Sequence, residues 1–135
     1  KVKAAIIQQS LCAFLDSAGL CKFAVFGIVN FDMIAEEYTA VTGCRINKEE
    51  ILKAGDRIWY LERLLNIKLG LIPSEDTLPK RFVEEPLEEG PAKGLTCPIA
   101  EMLKLFYEYR KIDPITGYPS KERLKELNID VMYNG

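Results

Sequence analysis

The stretch from Asn47 to Gly70 constrains this chain most, because it carries a complete set of helix signals. Asn47 and Glu50 stand three residues apart. At that spacing an N-cap side chain and the third helical residue satisfy each other's backbone N–H groups. Ile51, Ala54, Ile58, Leu61 and Leu65 then recur at helical spacing and form one apolar stripe. Gly70 ends the segment. Gly55 inside it costs about 1 kcal/mol relative to alanine, so its presence implies a close packing contact. The interleaved charges, Lys53, Asp56 and Arg57 and the pair Glu62 and Arg63, are expected on the solvated face.

The rest of the chain is helical in the same way, with one exception. Ala4, Ile7, Leu11, Phe14 and Ala18 form a stripe that Gly19 stops, since glycine enters the left-handed conformation without a Cβ clash. Leu20 then sits where a cap takes a hydrophobic contact back onto the helix. Lys22 to Val29 is short and apolar, a strand or a buried helical turn. Asn30 caps a helix from Phe31 to about Val41, presenting Ile34, Tyr38 and Val41 and ending before Gly43. Pro98 suits a helix first turn, with Glu101 near the positive end. Ile99, Met102, Leu103, Phe106 and Tyr109 make its stripe. Asp113, Pro114 and Gly117 mark a turn, and Ser120 caps a short helix through Leu127. The exception is 71–97, punctuated by prolines, glycines and acidic residues. Its Leu78, Phe82, Val83 and Leu87 are too apolar for a free linker, so an extended arm over a surface is expected. The fold class is all-α (mainly α), a compact helical domain with one long irregular arm at about 71–97.

Length and charge narrow the function. At 135 residues the chain suits a single domain, 1–135. Eighteen basic and twenty acidic residues leave a net charge of −2, which argues against a nucleic-acid or membrane-surface protein. No run approaches the roughly 18 apolar residues of a membrane span, and no secretory signal is visible. The four cysteines, Cys12, Cys21, Cys44 and Cys97, form no CxxC pair. A self-contained zinc or iron–sulfur site is not expected from them. Reduced thiols and a cytoplasmic setting are. There is no histidine, which removes every histidine base, triad and metal ligand. Chemistry must come from Cys, Asp, Glu, Lys or Tyr, or be completed by another polypeptide. The start at Lys1 rather than Met points to a cropped or processed chain, or to one domain of something longer.

One stretch combines several chemically useful groups: Asp16, Gly19, Leu20, Cys21 and Lys22. A carboxylate in the last helical turn faces the negative end of the helix dipole. It is better accommodated when it accepts hydrogen bonds from outside the helix. Gly19 would let a ligand approach the backbone. Lys22 beside Cys21 would favour a metal-binding thiolate. The plainer alternative is a glycine stop, a surface Asp and a buried Cys.

The same residues carry a resemblance. Asp16-x-x-Gly19-Leu20-Cys21 resembles the C-terminal pterin-binding motif of the tungsten-containing aldehyde ferredoxin oxidoreductase family. Further similar segments follow in order. They are Thr42-Gly43; Gly55-Asp56-Arg57-Ile58 with Leu61-Glu62-Arg63 and Asn66; Leu78-Pro79-x-Arg81-Phe82; Glu85-Pro86-Leu87; Gly90-Pro91-x-x-Gly94; Met102-Leu103 with Tyr107-x-x-Arg110; and Asp113-x-x-Thr116-Gly117-x-Pro119. The resemblance covers nearly the whole chain.

The resemblance implies an all-α, C-terminal cofactor-binding domain of a larger oxidoreductase. That enzyme converts an aldehyde and water to a carboxylate. Electrons pass through a tungsten (or molybdenum) bis-pterin and a 4Fe-4S cluster to ferredoxin. Asp16, Gly19, Leu20 and Cys21 would contact one pterin, and Cys21 would be one cluster ligand. The partners implied are the remainder of the same polypeptide, ferredoxin and an aldehyde, with a homodimer of the full-length enzyme left open. The fragment alone is expected to be inactive. The chain departs from the family at Arg110-Lys111-Ile112-Asp113, where an aromatic anchor is usual. Cys12, Cys44 and Cys97 match no family motif and read as small buried residues, and Trp59 and Tyr60 as core or rim packing. Two other functions stay open: a stand-alone helical interaction module without catalysis, and a thiol redox protein pairing Cys21 with Cys12.

Overall fold

The computed structural model describes residues 1–23 and 30–133. Its α-helices are α1 (Val2–Ala18), α2 (Phe31–Thr42), α3 (Lys48–Lys68), α4 (Lys80–Glu84), α5 (Ile99–Arg110) and α6 (Lys121–Glu126). Single 3-10 turns lie at Pro73–Glu75 and Asp130–Tyr133. Among the described residues, β pairing is limited to one isolated bridge between Ile112 and Pro119. The domain is mainly α, as expected. The ambiguous apolar segment 22–29 lies outside the described residues from 24 onward.

The expected caps form. Asn47 Oδ1 accepts from the Glu50 amide and Glu50 Oε2 accepts from the Asn47 amide, both at 2.9 Å. Asn30 Oδ1 accepts from the Met33 amide, and Ser120 Oγ from the Arg123 amide. Gly43 closes α2 in the left-handed conformation at φ 74°.

Packing centres on α1 against α3. Leu11, Phe14 and Leu15 of α1, Ile34 of α2 and Ile51 of α3 form one buried cluster. Side chains of this size each contribute about 1.5–3 kcal/mol on burial. Tyr60 with Leu124, Leu127 and Ile129 forms a second cluster, flanked by Trp59. Gly55 is a point of close approach between α1 and α3. A Cβ there would stand 1.8 Å from the Ser10 carbonyl oxygen. The stripes are narrower than expected at their ends. Ala4, Ile7, Val41, Leu65 and Tyr109 are exposed.

The charges of α3 require a larger correction. Lys53 and Glu62 are exposed, but Asp56 and Arg57 are half-buried and Arg63 is buried. Asp56 lies between Arg110 of α5 and Arg123 of α6, whose guanidiniums donate at 2.6 and 2.5 Å. Ser10 Oγ of α1 donates to the same carboxylate. Arg110 is 1% exposed and stacks 4.2 Å from the Trp59 ring. The Tyr60 hydroxyl donates to its carbonyl. A buried charge is tolerated when it is paired and hydrogen-bonded, and here one carboxylate joins four helices. Arg57 Nε donates to the Leu127 carbonyl at 2.9 Å.

A second junction secures the arm and the last turn. Arg63 grips Asp76 through two 2.6 Å hydrogen bonds and donates to the Gly117 carbonyl at 3.2 Å. The Tyr107 hydroxyl also donates to Asp76. Burial pushes the Asp76 carboxyl upward, but the Arg63 and Tyr107 hydrogen bonds outweigh it and hold it below its ordinary value. Gly117 has φ 74° and would place a Cβ 2.9 Å from the Arg63 guanidinium. Asp113 Oδ1 accepts from the Ile115 and Thr116 amides and the Thr116 hydroxyl, closing the turn.

The segment 71–97 is irregular but not extended. Pro79 presets the start of α4, and Glu85, which precedes Pro86, is forced into the β region and ends it. The chain then returns on itself. The Cys97 amide donates to Phe82, and the Gly94 amide to Leu87, both at 2.8 Å. Local turns thus satisfy the backbone, while Leu78, Phe82, Leu87 and Leu95 remain 37–62% exposed.

Candidate functional site

The end of α1 is built as a Schellman cap. Gly19 adopts φ 72°, its amide donating to Asp16 O, while the Leu20 amide donates to Leu15 O at 2.9 Å. Leu20 packs back onto the first core cluster. This anchors the turn through the apolar side chain and leaves its polar groups outside. Asp16, Gly19 and Cys21 are all exposed. A Cβ built on Gly19 would meet nothing within 4 Å, so the turn presents an open face. Lys22 and Phe23 are again in helical backbone, so Gly19, Leu20 and Cys21 form a short non-helical link.

Asp16 does take a partner from beyond its own helix. Lys22 Nζ lies 2.7 Å from its carboxylate, an ion pair that spans the glycine turn. The hydrogen bond to Asp16 raises the Lys22 pKa above its ordinary value. Sequence placed the Lys22 charge at the service of Cys21, and the geometry directs it first to Asp16. Adjacency in sequence pairs Lys22 with Cys21, whereas the turn brings residues six apart into contact.

Of the predicted site residues, the fold therefore brings Asp16, Gly19 and Cys21 out on one turn, with Leu20 as its anchor. The other cysteines do not join them as a cluster. Among the described residues, no group of three or more His, Cys, Asp or Glu side chains is arranged to hold a metal ion. All four cysteines are free thiols. Cys12 accepts from Gln8 within α1, and Cys97 lies beside Met102. Cys44 is exposed, not buried as expected. Among the described residues no helix is long and apolar enough to cross a membrane.

Several other motif residues are structural. Gly55 lets α1 and α3 meet. Asp56, Arg63, Tyr107 and Arg110 form the two polar junctions, and Asp113, Thr116 and Gly117 form the turn that Arg63 holds. The open, thiol-bearing turn is held by the Lys22 pair and the Leu20 anchor and keeps its other polar groups exposed.

Comparison with known proteins places the whole chain in one family. The family described as "Aldehyde ferredoxin oxidoreductase, domains 2 & 3" matches residues 1–129. The chain is similar to the tungsten-containing aldehyde ferredoxin oxidoreductase of Pyrococcus furiosus, with 46% identity over 134 residues. That alignment covers 98% of this chain and 22% of the relative. The protein of the same description from Pyrococcus horikoshii is 45% identical over 131 residues, covering 96% and 21%. That from Thermococcus kodakarensis is 45% identical over 130 residues, with the same coverage. The chain thus spans about a fifth of the length of the curated relatives it matches.

Proposed function

Because the chain belongs to the aldehyde ferredoxin oxidoreductase family, we propose that it is one wall of a redox cofactor site in a larger oxidoreductase. The relatives' names state a tungsten-containing aldehyde ferredoxin oxidoreductase. On this proposal the whole protein converts an aldehyde and water to a carboxylate, releasing protons and a pair of electrons that leave to ferredoxin. A tungsten (or molybdenum) bis-pterin and a 4Fe-4S cluster would supply the redox chemistry and the electron path.

The carrying observation is the exposed turn at the end of α1. Its donor set fits the proposed groups. A carboxylate at Asp16 can accept from pterin N–H groups. The open face over Gly19 admits a flat ring against the backbone. An exposed thiol at Cys21 can serve as one iron ligand. Leu20 anchors the turn in the core, so these groups are held by a packed helix rather than a loose loop. One thiol supplies one ligand, so the other ligands and the substrate pocket belong to the rest of the polypeptide on this reading. Catalysis needs a preorganised site closed to water, which this turn alone does not make.

The test is Cys21→Ala in the full-length protein. Iron per chain and the cluster EPR signal should fall, while far-UV circular dichroism stays unchanged because Cys21 is exposed. Wild-type iron and EPR in that variant would refute the role of Cys21.

A further inference from the structure

We propose that Lys22 is a positioning residue of this site. Its ion pair with Asp16 holds the carboxylate in one orientation across the Gly19 turn and keeps a positive charge beside Cys21. The inference rests on the cofactor reading above and adds a residue to it.

Three observations carry it. First, Asp16 needs help. It lies in the last turn of α1, where the dipole disfavours a negative charge, and its side chain is 60% exposed. An unpaired aspartate so placed would sample several rotamers. Second, the Lys22 ammonium meets it at 2.7 Å while remaining 41% exposed itself. The lysine holds one face of the carboxylate and leaves the rest open to accept from a ligand. Third, Lys22 is covalently next to Cys21, so both termini of the turn are tied: Asp16 to Lys22 by charge, and Leu20 to the core by packing. The other titratable groups in whose field Lys22 lies are Cys12 and Glu62.

Two consequences follow for the loaded site. A carboxylate fixed by Lys22 is preorganised for ring N–H donors, as groups supporting a ligand are elsewhere. Loss of the lysine also leaves the Asp16 charge uncompensated and removes the positive charge next to Cys21, the residue that would hold one iron of the cluster. Added negative charge disfavours the reduced cluster, so the reduction potential must fall.

The experiment compares Lys22→Met and Lys22→Arg in the full-length holoenzyme. Iron, pterin retained after gel filtration, and the cluster midpoint potential by EPR-monitored titration are measured. Lys22→Met should keep its iron and fold, shift the midpoint negative, and hold the pterin about two- to five-fold more weakly, the range an exposed ion pair supports. Lys22→Arg should restore both values. Wild-type midpoint and pterin content in Lys22→Met, or failure of Lys22→Arg to restore them, overturns the proposal. Should Lys22→Met lose its iron, Lys22→Arg decides alone: wild-type iron and midpoint support the charge, and loss of either refutes it. Cys21→Ala separates the two readings. If it keeps its iron, the cofactor reading itself fails; if it loses iron while Lys22→Met behaves as wild type, only the role of Lys22 fails.

Discussion

Gly55→Ala tests the contact on which the helix arrangement depends. The added Cβ would lie 1.8 Å from the Ser10 carbonyl oxygen, 2.5 Å from its carbon and 3.0 Å from its Cα. All three are backbone atoms, so no side-chain rotation relieves the clash. To reach an ordinary contact near 3.4 Å, α1 and α3 must part by about 1.6 Å. That displacement stretches the Ser10–Asp56 hydrogen bond and loosens the packing of Leu11, Leu15 and Ile51. Overpacking of this kind costs about 3 kcal/mol at the upper end of its usual range. Alanine returns about 1 kcal/mol in helix propensity. The net loss is about 2 kcal/mol, or about 7 °C in Tm for a domain of this length. Thermal unfolding followed by circular dichroism measures it. Ser10→Gly should not rescue the variant, because the clash is with main-chain atoms. A Gly55→Ala protein as stable as wild type would refute the close approach of α1 and α3.

Asp56→Asn should cost about 3 kcal/mol or more, because it leaves Arg110, 1% exposed, without its compensating charge; urea unfolding should show a lower midpoint, and an unchanged midpoint would contradict the junction. Asp76 makes stability pH-dependent. Its folded pKa is depressed, so its contribution is complete above the ordinary aspartate value of about 4. That contribution is lost as pH falls through the folded pKa. Asp76→Asn should be less stable at neutral pH and lose less on acidification than wild type; parallel acid titrations of the two proteins would disprove the linkage.

Local signals were legible where one residue governs its own surroundings. Asn47 with Glu50, Asn30, Ser120 and Gly19 each determine a cap through backbone groups within a few residues. Gly55 was legible as a close contact because a mid-helix glycine is otherwise unfavourable. The errors share a different cause. Asp56 and Arg63 read as solvated because charge is usually outside, yet their partners lie far along the chain. Arg110 is 54 positions from Asp56, and Asp76 is 13 from Arg63. Periodicity within one helix contains no information about such partners. The arm is hidden from periodicity for the same reason, since its backbone pairs Phe82 with Cys97 and Leu87 with Gly94. Of the site, Asp16, Gly19, Leu20 and Cys21 were visible as a motif. The Asp16–Lys22 pair was not, because only the three-dimensional turn brings its ends together.

The two polar junctions also explain how a small domain can present a precise turn. The Asp16 turn has few contacts of its own, and its exposed ion pair contributes little to stability. Its placement depends on α1, and α1 is fixed two helical turns earlier. There Ser10 touches Gly55 and donates to Asp56, while Arg110 reaches Ile6 and Gln9. The charges buried at Asp56 are therefore upstream of the site in a mechanical sense. A hydrophobic replacement could match them in stability, but it would not direct hydrogen bonds from α5 and α6 to the same point beside α1. Variants at Asp56 should thus disturb the geometry of Asp16 and Cys21 before the domain unfolds, whereas variants at Lys22 should disturb it with the fold intact.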